Sequence, residues 1–245
     1  MASMAFNDTQ RPKPLLQRAR APTTTELAMV PWLAVLGPAE RERAAAAIQV
    51  AEARQGDFVC KIGRSANYWF GVLDGLLKMS NDASASAQIT FTGVPPGAWF
   101  GEGTLLKREA YRYNIEPLRR SIVAGLPLDS FEWLLENSIP FNRYVMNQIN
   151  ERLGQFIAAR EADRISNPDV RVARGLASLF HPVLYPGVGE LLRITQQELA
   201  YLVGLSRQRV NEALQALQRE AIIRVEYGGV RVLDLRRLRE YMAGP

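Results

Sequence analysis

Three patterns of apolar and polar positions follow one another along the chain, predicting helices, then short strands, then helices again. "TELAMVPWLAVLGPAERERAAAAIQVAEARQ" has helical spacing around a proline break, with Pro38 and Ala39 opening a second helix at the turn that suits proline. From Gln55 the spacing shortens. "GDFVCKIG", "NYWFGVLDGLLKMS" and "AQITFTGVPPGAWFGEG" are brief aromatic and β-branched runs broken by Gly, Pro, Asn and Asp. They predict an all-β region of short strands ending near "SIVAGLPLDSFEWLL", with turns spaced for a small barrel or double-sheet roll. From Ile139 helical spacing returns for about twenty-five residues. Met146, Ile149, Leu153 and Phe156 form its narrow apolar seam, while Asn142, Asn147, Gln148, Asn150, Glu151 and Arg152 fill much of the remainder. Such a seam packs on the chain's own strands or on a second copy. Its position between two domains favours the copy.

"SNPDV" at 166–170 interrupts that helix, because Pro168 disfavours helical geometry at Asn167, and it is the expected hinge. "DVRVARGLASLF" predicts another helix before the loop "FHPVLYPGVGE". Then comes "ELAYLVGLSRQRVNEALQAL", two amphipathic helical patterns separated only by Gly-Leu-Ser. Thr195 and Glu198 have capping-box spacing, Gly204 supplies the left-handed residue that ends a helix abruptly, and Ser206 caps the next helix. With Leu199, Leu202, Val203, Val210, Ala213, Leu214 and Leu217 facing inward, Arg207, Gln208, Asn211, Glu212 and Gln215 point outward. "AIIRVEYGGVRVLD" follows as two alternating runs around Gly228 and Gly229, a hairpin wing. Together these predict a winged helix-turn-helix.

A recognition helix of this kind enters the major groove with its first turn against base edges. Arg207 is expected to fork onto guanine and Gln208 to pair with adenine, with Asn211 on the same face. Thr195, Gln197 and Ser206 sit at helix starts, where hydroxyl, amide and backbone N–H groups hold phosphates. Arg209 turns towards a flank and either contacts phosphate or is solvated. Glu212 either accepts from cytosine or orients Arg207 or Arg209.

Composition narrows the alternatives. The net charge of +5 fits a polyanionic partner without requiring one, and from Arg164 onward every basic residue is arginine, suited to phosphate and guanine. Cys60 is the only cysteine and His181 the only histidine. That excludes a cysteine-rich iron–sulfur or zinc site within one chain and a multi-histidine metal cluster, so no metal is expected. His181, before Pro182 in a loop, reads as a surface histidine. No nucleophile–base pair or strong Gly-rich phosphate loop marks an enzyme. The longest apolar run, "LAMVPWLAVLGPA", is broken by Pro31 and too short to cross a bilayer, so the expectation is a cytoplasmic protein without membrane contact.

"ITQQELAYLVGLSRQRVNEALQALQREAIIRVEYGGVRVLD", after a β-roll and a long helix, resembles the Crp/Fnr family of bacterial transcription regulators over about residues 27–242. The resemblance implies an α+β chain: an N-terminal cyclic-nucleotide-binding-like β-roll (a double-stranded β-helix), a long dimerisation helix and a C-terminal winged helix-turn-helix. The expected boundaries are a disordered leader at 1–25, the sensor at 26–138, the dimerisation helix at 139–165 and the DNA-binding domain at 166–245. Implied partners are double-stranded DNA with a palindromic site, a second copy in a homodimer, and RNA polymerase.

"GAWFGEGTLLKREAYRYN" is similar to the family's phosphate-binding cassette, in which a Glu holds the ribose 2′-hydroxyl and an Arg with a small hydroxyl residue holds the phosphate. Gly101, Glu102 and Arg112 match that pattern. Tyr113 and Asn114 depart from it, replacing the small pair, and Gln155, Phe156 and Ile157 stand where cAMP-responsive members carry Thr-Ser. A possible effector pocket therefore comprises Gly101, Glu102, Arg112, Tyr113, Asn114 and Phe156, with cAMP disfavoured and no cofactor assigned. Glu102 and Arg112 equally fit an internal ion pair or solvated loop residues. The iron–sulfur chemistry of some relatives lacks its cysteines here, and haem finds poor support in one His and one distant Cys. A different class of function, a ligand-binding or interaction module whose winged helix docks a protein, is disfavoured because the outward face carries no large apolar anchor.

Overall fold

The computed structural model describes residues 15–84, 87–162 and 167–242. Residues 15–25 contradict the expected disordered leader, whose remaining positions, 1–14, lie outside the described residues. Leu15 is buried, Arg18 pairs with Asp57 at 2.5 Å, and Arg20 exchanges backbone hydrogen bonds with Val50. Tertiary docking thus orders a stretch whose composition gives no periodic signal.

Helix α1 (Thr24–Ala28) starts at the Thr23–Glu26 capping box, and α2 (Pro38–Ala47) opens with its proline in the first turn. The helix expected to continue to Gln55 stops at Ile48, and strand β1 (Gln49–Ala53) takes over. Val50, Ala51 and Ala53 are buried there, so sheet packing overrides the helical preference of the alanine run. "GDFVCKIG" forms no extended strand; only Cys60 bridges, to Ile115.

The roll continues with β2 (Tyr68–Asp74), β3 (Leu77–Ser84), β4 (Ala87–Val94), β5 (Trp99–Phe100), α3 (Glu102–Leu106), β6 (Asn114–Pro117) and β7 (Ser121–Pro127). One sheet has the order β1-β7-β2-β5 and the other β4-β3-β6, all antiparallel. Trp32, Trp69, Trp99, Phe131 and Phe141 fill the core, with the Trp69 and Trp99 rings 4.7 Å apart. "LDSFEWLL", expected to close the strand region, is helix α4 (Leu128–Asn137), which buries Phe131 and Leu134.

Helix α5 (Ile139–Ala162) lies on the roll through Phe141 and Val145. Its seam does not pack on those strands: Met146, Ile149, Leu153 and Phe156 are all exposed. The polar assignment of the rest needs correction at two positions. Gln148 is buried with its amide donating to the Val183 carbonyl, and Arg152 reaches into the roll.

Asn167 caps α6 (Pro168–Ser178) by accepting from the Asp169 amide. After β8 (Leu191–Leu192) come α7 (Gln196–Val203), α8 (Arg207–Arg219), β9 (Ile223–Glu226), β10 (Gly229–Val232) and α9 (Leu235–Arg239). Strand β8 joins the wing in the order β8-β10-β9, a third strand hidden in what reads as loop. Gly228 takes a positive φ of 72°, whereas Gly229 is required for a different reason: a Cβ there would lie 2.7 Å from the Leu192 carbonyl oxygen. The winged domain has its own core around Leu176, Leu199, Val210 and Leu217, and Leu76 from the β2–β3 turn of the roll is buried within it. None of the described helices is long and apolar enough to cross a membrane.

Candidate nucleic-acid interface and sensor cavity

The turn between α7 and α8 is set by local chemistry at every position. Thr195 Oγ1 accepts from the Glu198 amide at 3.1 Å, and the Thr195 amide donates to Glu198 Oε2 at 2.7 Å. Gly204 ends α7 with φ 65°, and Ser206 Oγ accepts from the Arg209 amide at 3.2 Å. Thr195, Gln197, Ser206, Arg207, Gln208 and Glu212 are exposed, so the leading face of α8 is open.

The residues expected to meet DNA differ in freedom. Arg207 meets no hydrogen-bond or ion-pair partner among the described residues. Gln208 donates weakly to Glu212 Oε1 at 3.2 Å. Arg209 turns to the flank expected of it and is paired there: its guanidinium donates to Asp169 on α6 at 2.6 Å and to Glu212 at 3.1 Å. Asn211 is half-buried and its Oδ1 accepts from Gln196 Nε2 at 2.8 Å, bracing the two helices against each other. Gln196 and Asp169 escaped notice in the sequence because their roles depend on partners fifteen and forty residues away.

In the roll, Gly101 turns the chain with φ 95° and Glu102 begins α3. A cavity of about 560 Å³ opens between α3, the following loop and α5. Gly101, Glu102, Arg112, Tyr113 and Phe156 all line it. Asn114 does not: it is buried, and its side chain accepts from the Ile62 amide at 2.9 Å.

Glu102 is an internal ion pair, but with a partner other than Arg112. Its Oε1 accepts from Arg152 Nε at 3.0 Å, and Arg152 Nη2 donates to the Trp99 carbonyl at 2.6 Å. Burial opposes the charge on Arg152, yet Glu102 together with Tyr185 and Tyr113 more than compensates and raises the guanidinium's pKa. Arg112 instead reaches outward, its side chain 78% exposed, and pairs with Glu109 at 2.9 Å. Burial, with Cys60 and Glu102 nearby, pushes the Tyr113 hydroxyl up, so it stays a neutral phenol.

Cys60 is buried in the roll, and among the described residues no three metal-binding side chains cluster. His181 is half-buried rather than superficial, with Nδ1 accepting from the Val183 and Leu184 amides at 3.3 and 3.2 Å and Nε2 facing Glu151 at 3.3 Å.

Comparison with known proteins agrees with this architecture. Residues 50–138 match the cyclic nucleotide-binding domain, and residues 170–241 match the Crp-like helix-turn-helix domain. The chain is 29% identical over 177 residues to the transcriptional regulator SdrP of Thermus thermophilus, covering 70% of this chain and 82% of that protein. It is 27% identical over 175 residues to the cyclic AMP receptor protein of the same organism, covering 71% and 78%. FixK2 from Bradyrhizobium japonicum shares the fold, with a TM-score of 0.64 at 16% identity over 81% of this chain and 98% of that one. The protein belongs to the Crp/Fnr family: it is a transcription regulator that joins a cyclic-nucleotide-binding-type sensor domain to a DNA-binding Crp-like helix-turn-helix.

Proposed function

We propose that the chain works as a homodimer that places two copies of α8 in successive major grooves of a palindromic operator. The observation that carries this reading is the exposed seam of α5: Met146 and Leu153 are each 60% exposed, on a helix whose adjoining face is packed on the roll. An apolar stripe of this length on one helix suits a partner helix of the same sequence. A twofold pair addresses half-sites about 34 Å apart.

Within each half-site Arg207 and Gln208 read base edges, while Thr195, Gln197 and Ser206 hold phosphates. Arg209, Asn211 and Glu212 hold the reading helix in place. The chain is a regulator without catalytic activity, acting in the cytoplasm where the chromosome and RNA polymerase are. Its effector is something other than cAMP, because Arg112 and Tyr113 form no phosphate cradle.

Selection from randomised duplexes, followed by sedimentation of the complex, tests the reading. The expected result is an inverted-repeat site bound by two chains, with affinity falling steeply as salt rises. A single chain bound to a non-repeated site, or indifference to every duplex, overturns it.

A further inference from the structure

A second and larger cavity, of about 890 Å³, lies where α5 meets the winged domain. Glu151 and Ala158 face it from α5, Arg171 and Arg174 from α6, and Leu202 and Val203 from α7. Arg171 and Arg174 are three residues apart and so neighbours on one side of α6. Neither has a hydrogen-bond or ion-pair partner among the described residues. Arg174 is half-buried, and its Nε is shut off from solvent with no acceptor. Two like charges side by side in a partly dry wall repel each other, and each loses hydration that nothing in the chain replaces.

The rest of the wall narrows what those arginines can hold. Glu151 is the only carboxylate among the described lining residues, and it faces His181 Nε2 at 3.3 Å. Arg239 adds a third guanidinium, which donates to the Phe180 carbonyl over 3.5 Å. Such a balance favours an anion. Gln155 donates to the Ser178 carbonyl and accepts from the Tyr185 hydroxyl, and the Ser178 hydroxyl donates to the Gly175 carbonyl, so both side chains are committed. The hydroxyls of Thr90 and Tyr201 remain, too few for the several hydroxyls of a nucleotide or sugar phosphate. Ile89, Ala158, Val183, Leu202 and Val203 supply apolar surface.

We propose that this cavity binds an organic acid with an apolar body, its carboxylate forked by Arg171 and Arg174 and its aryl or acyl part lying on that apolar surface. Guanidinium groups match a carboxylate through paired N–H donors, and a cavity of this size takes a molecule of about two or three rings. The site is separate from the cavity beside α3, and it goes beyond the DNA-reading assignment without depending on it. Ala158 lies five residues from Leu153, about 140° round α5, so a second copy seated on the exposed seam leaves this side open. An occupant touches the long helix and the first two helices of the winged domain at once, where their relative position is decided.

Isothermal titration of the full-length protein with biphenyl-4-carboxylate, biphenyl-4-carboxamide and AMP tests it. The first two share a shape and differ in charge, and the third carries its charge on a polyhydroxylated body. The expected order is the carboxylate at least about tenfold tighter than either of the others, the size of a charge-assisted contact. Arg174→Gln should lower carboxylate affinity by about tenfold and leave the carboxamide within about twofold. Should that variant fail to fold, Ala158→Leu keeps both arginines and the helix preference of α5, and it should weaken the carboxylate by about fivefold or more by filling the space. Equal binding of the two biphenyls, tighter binding of AMP, no binding of any probe, or an affinity that neither substitution changes overturns the proposal. Loss of duplex affinity in Arg174→Gln, with no carboxylate bound by the parent protein, would overturn it by assigning these arginines to DNA phosphates.

Discussion

Arg119, on the turn between β6 and β7, donates to Glu198 Oε1 at 2.8 Å, and the other oxygen of the same carboxylate closes the Thr195 cap of α7. The guanidinium also donates to the carbonyls of Gly75 at 3.2 Å and Arg193 at 2.8 Å. One arginine of the sensor roll thus holds the start of the first helix of the DNA-reading pair. Leu76 deepens the joint by inserting into the winged domain's core next to it.

Arg119→Ala should therefore loosen the winged domain from the roll. The arginine side chain is 32% exposed and Glu198 10%, so the loss is that of a part-screened charged contact, about 1–2 kcal/mol. Hydrogen exchange should rise at the first turn of α7 while the core strands β2 and β7 keep their protection. Unchanged exchange at α7 would show that Leu76 alone carries the joint.

The helix-turn-helix was legible because its signals are local. Thr195 with Glu198, Gly204 and Ser206 each act within four residues, and the structure places each in the expected cap. The sensor was less legible because its determinants are not. Arg152 meets Glu102 across fifty residues, and Arg112 is drawn away by Glu109, a neighbour with no role in the cassette pattern. β1 was hidden for a related reason. Ala44–Ala47 continues into Ile48 and Val50 without a breaker, and only pairing with β7 distinguishes strand from helix there.

Arg207 and Arg209 stand two residues apart and should behave differently. Arg207→Ala removes an exposed, uncommitted fork, and it should cost about 1–3 kcal/mol of DNA affinity at one base position while relaxing preference there. Arg209→Ala breaks the Asp169 and Glu212 contacts, so its main effect should be lower stability of the winged domain. Binding to a set of single-base operator variants, beside thermal melts of both proteins, distinguishes them. A loss for Arg207→Ala that is equal across all sequences would make it a phosphate contact.

Leu153→Arg places a charge in the middle of the α5 seam. Because Leu153 is 60% exposed in a single chain, the roll should fold normally and its melting temperature as a monomer should move little. Association should fail, and operator affinity should drop by at least about a hundredfold as one half-site contact is lost from the pair. Sedimentation velocity at micromolar concentration reads the first effect and duplex titration the second. A variant that still sediments as a dimer would move the interface elsewhere.

His181 gives the chain a pH-dependent stability whose sign follows from its partners. Nδ1 accepts two backbone amides, so it carries no proton, and Nε2 is left to donate to Glu151 on α5. Burial lowers the imidazole's pKa, and Arg239 and Arg152 lower it further, while Glu151 pulls the other way without prevailing. The unfolded chain, with an ordinary value near 6.5, then takes up a proton before the folded one does. Stability is therefore full above about pH 6.5 and declines as pH falls from there towards the lower folded value. Denaturant midpoints at about pH 7.5 and 5.5 should differ in that direction after subtraction of the same pair for His181→Asn, whose side-chain oxygen keeps an acceptor for the two amides without titrating. A midpoint that rose on acidification, or an imidazole resonance titrating above 6.5, would mean that Glu151 outweighs burial and the two arginines.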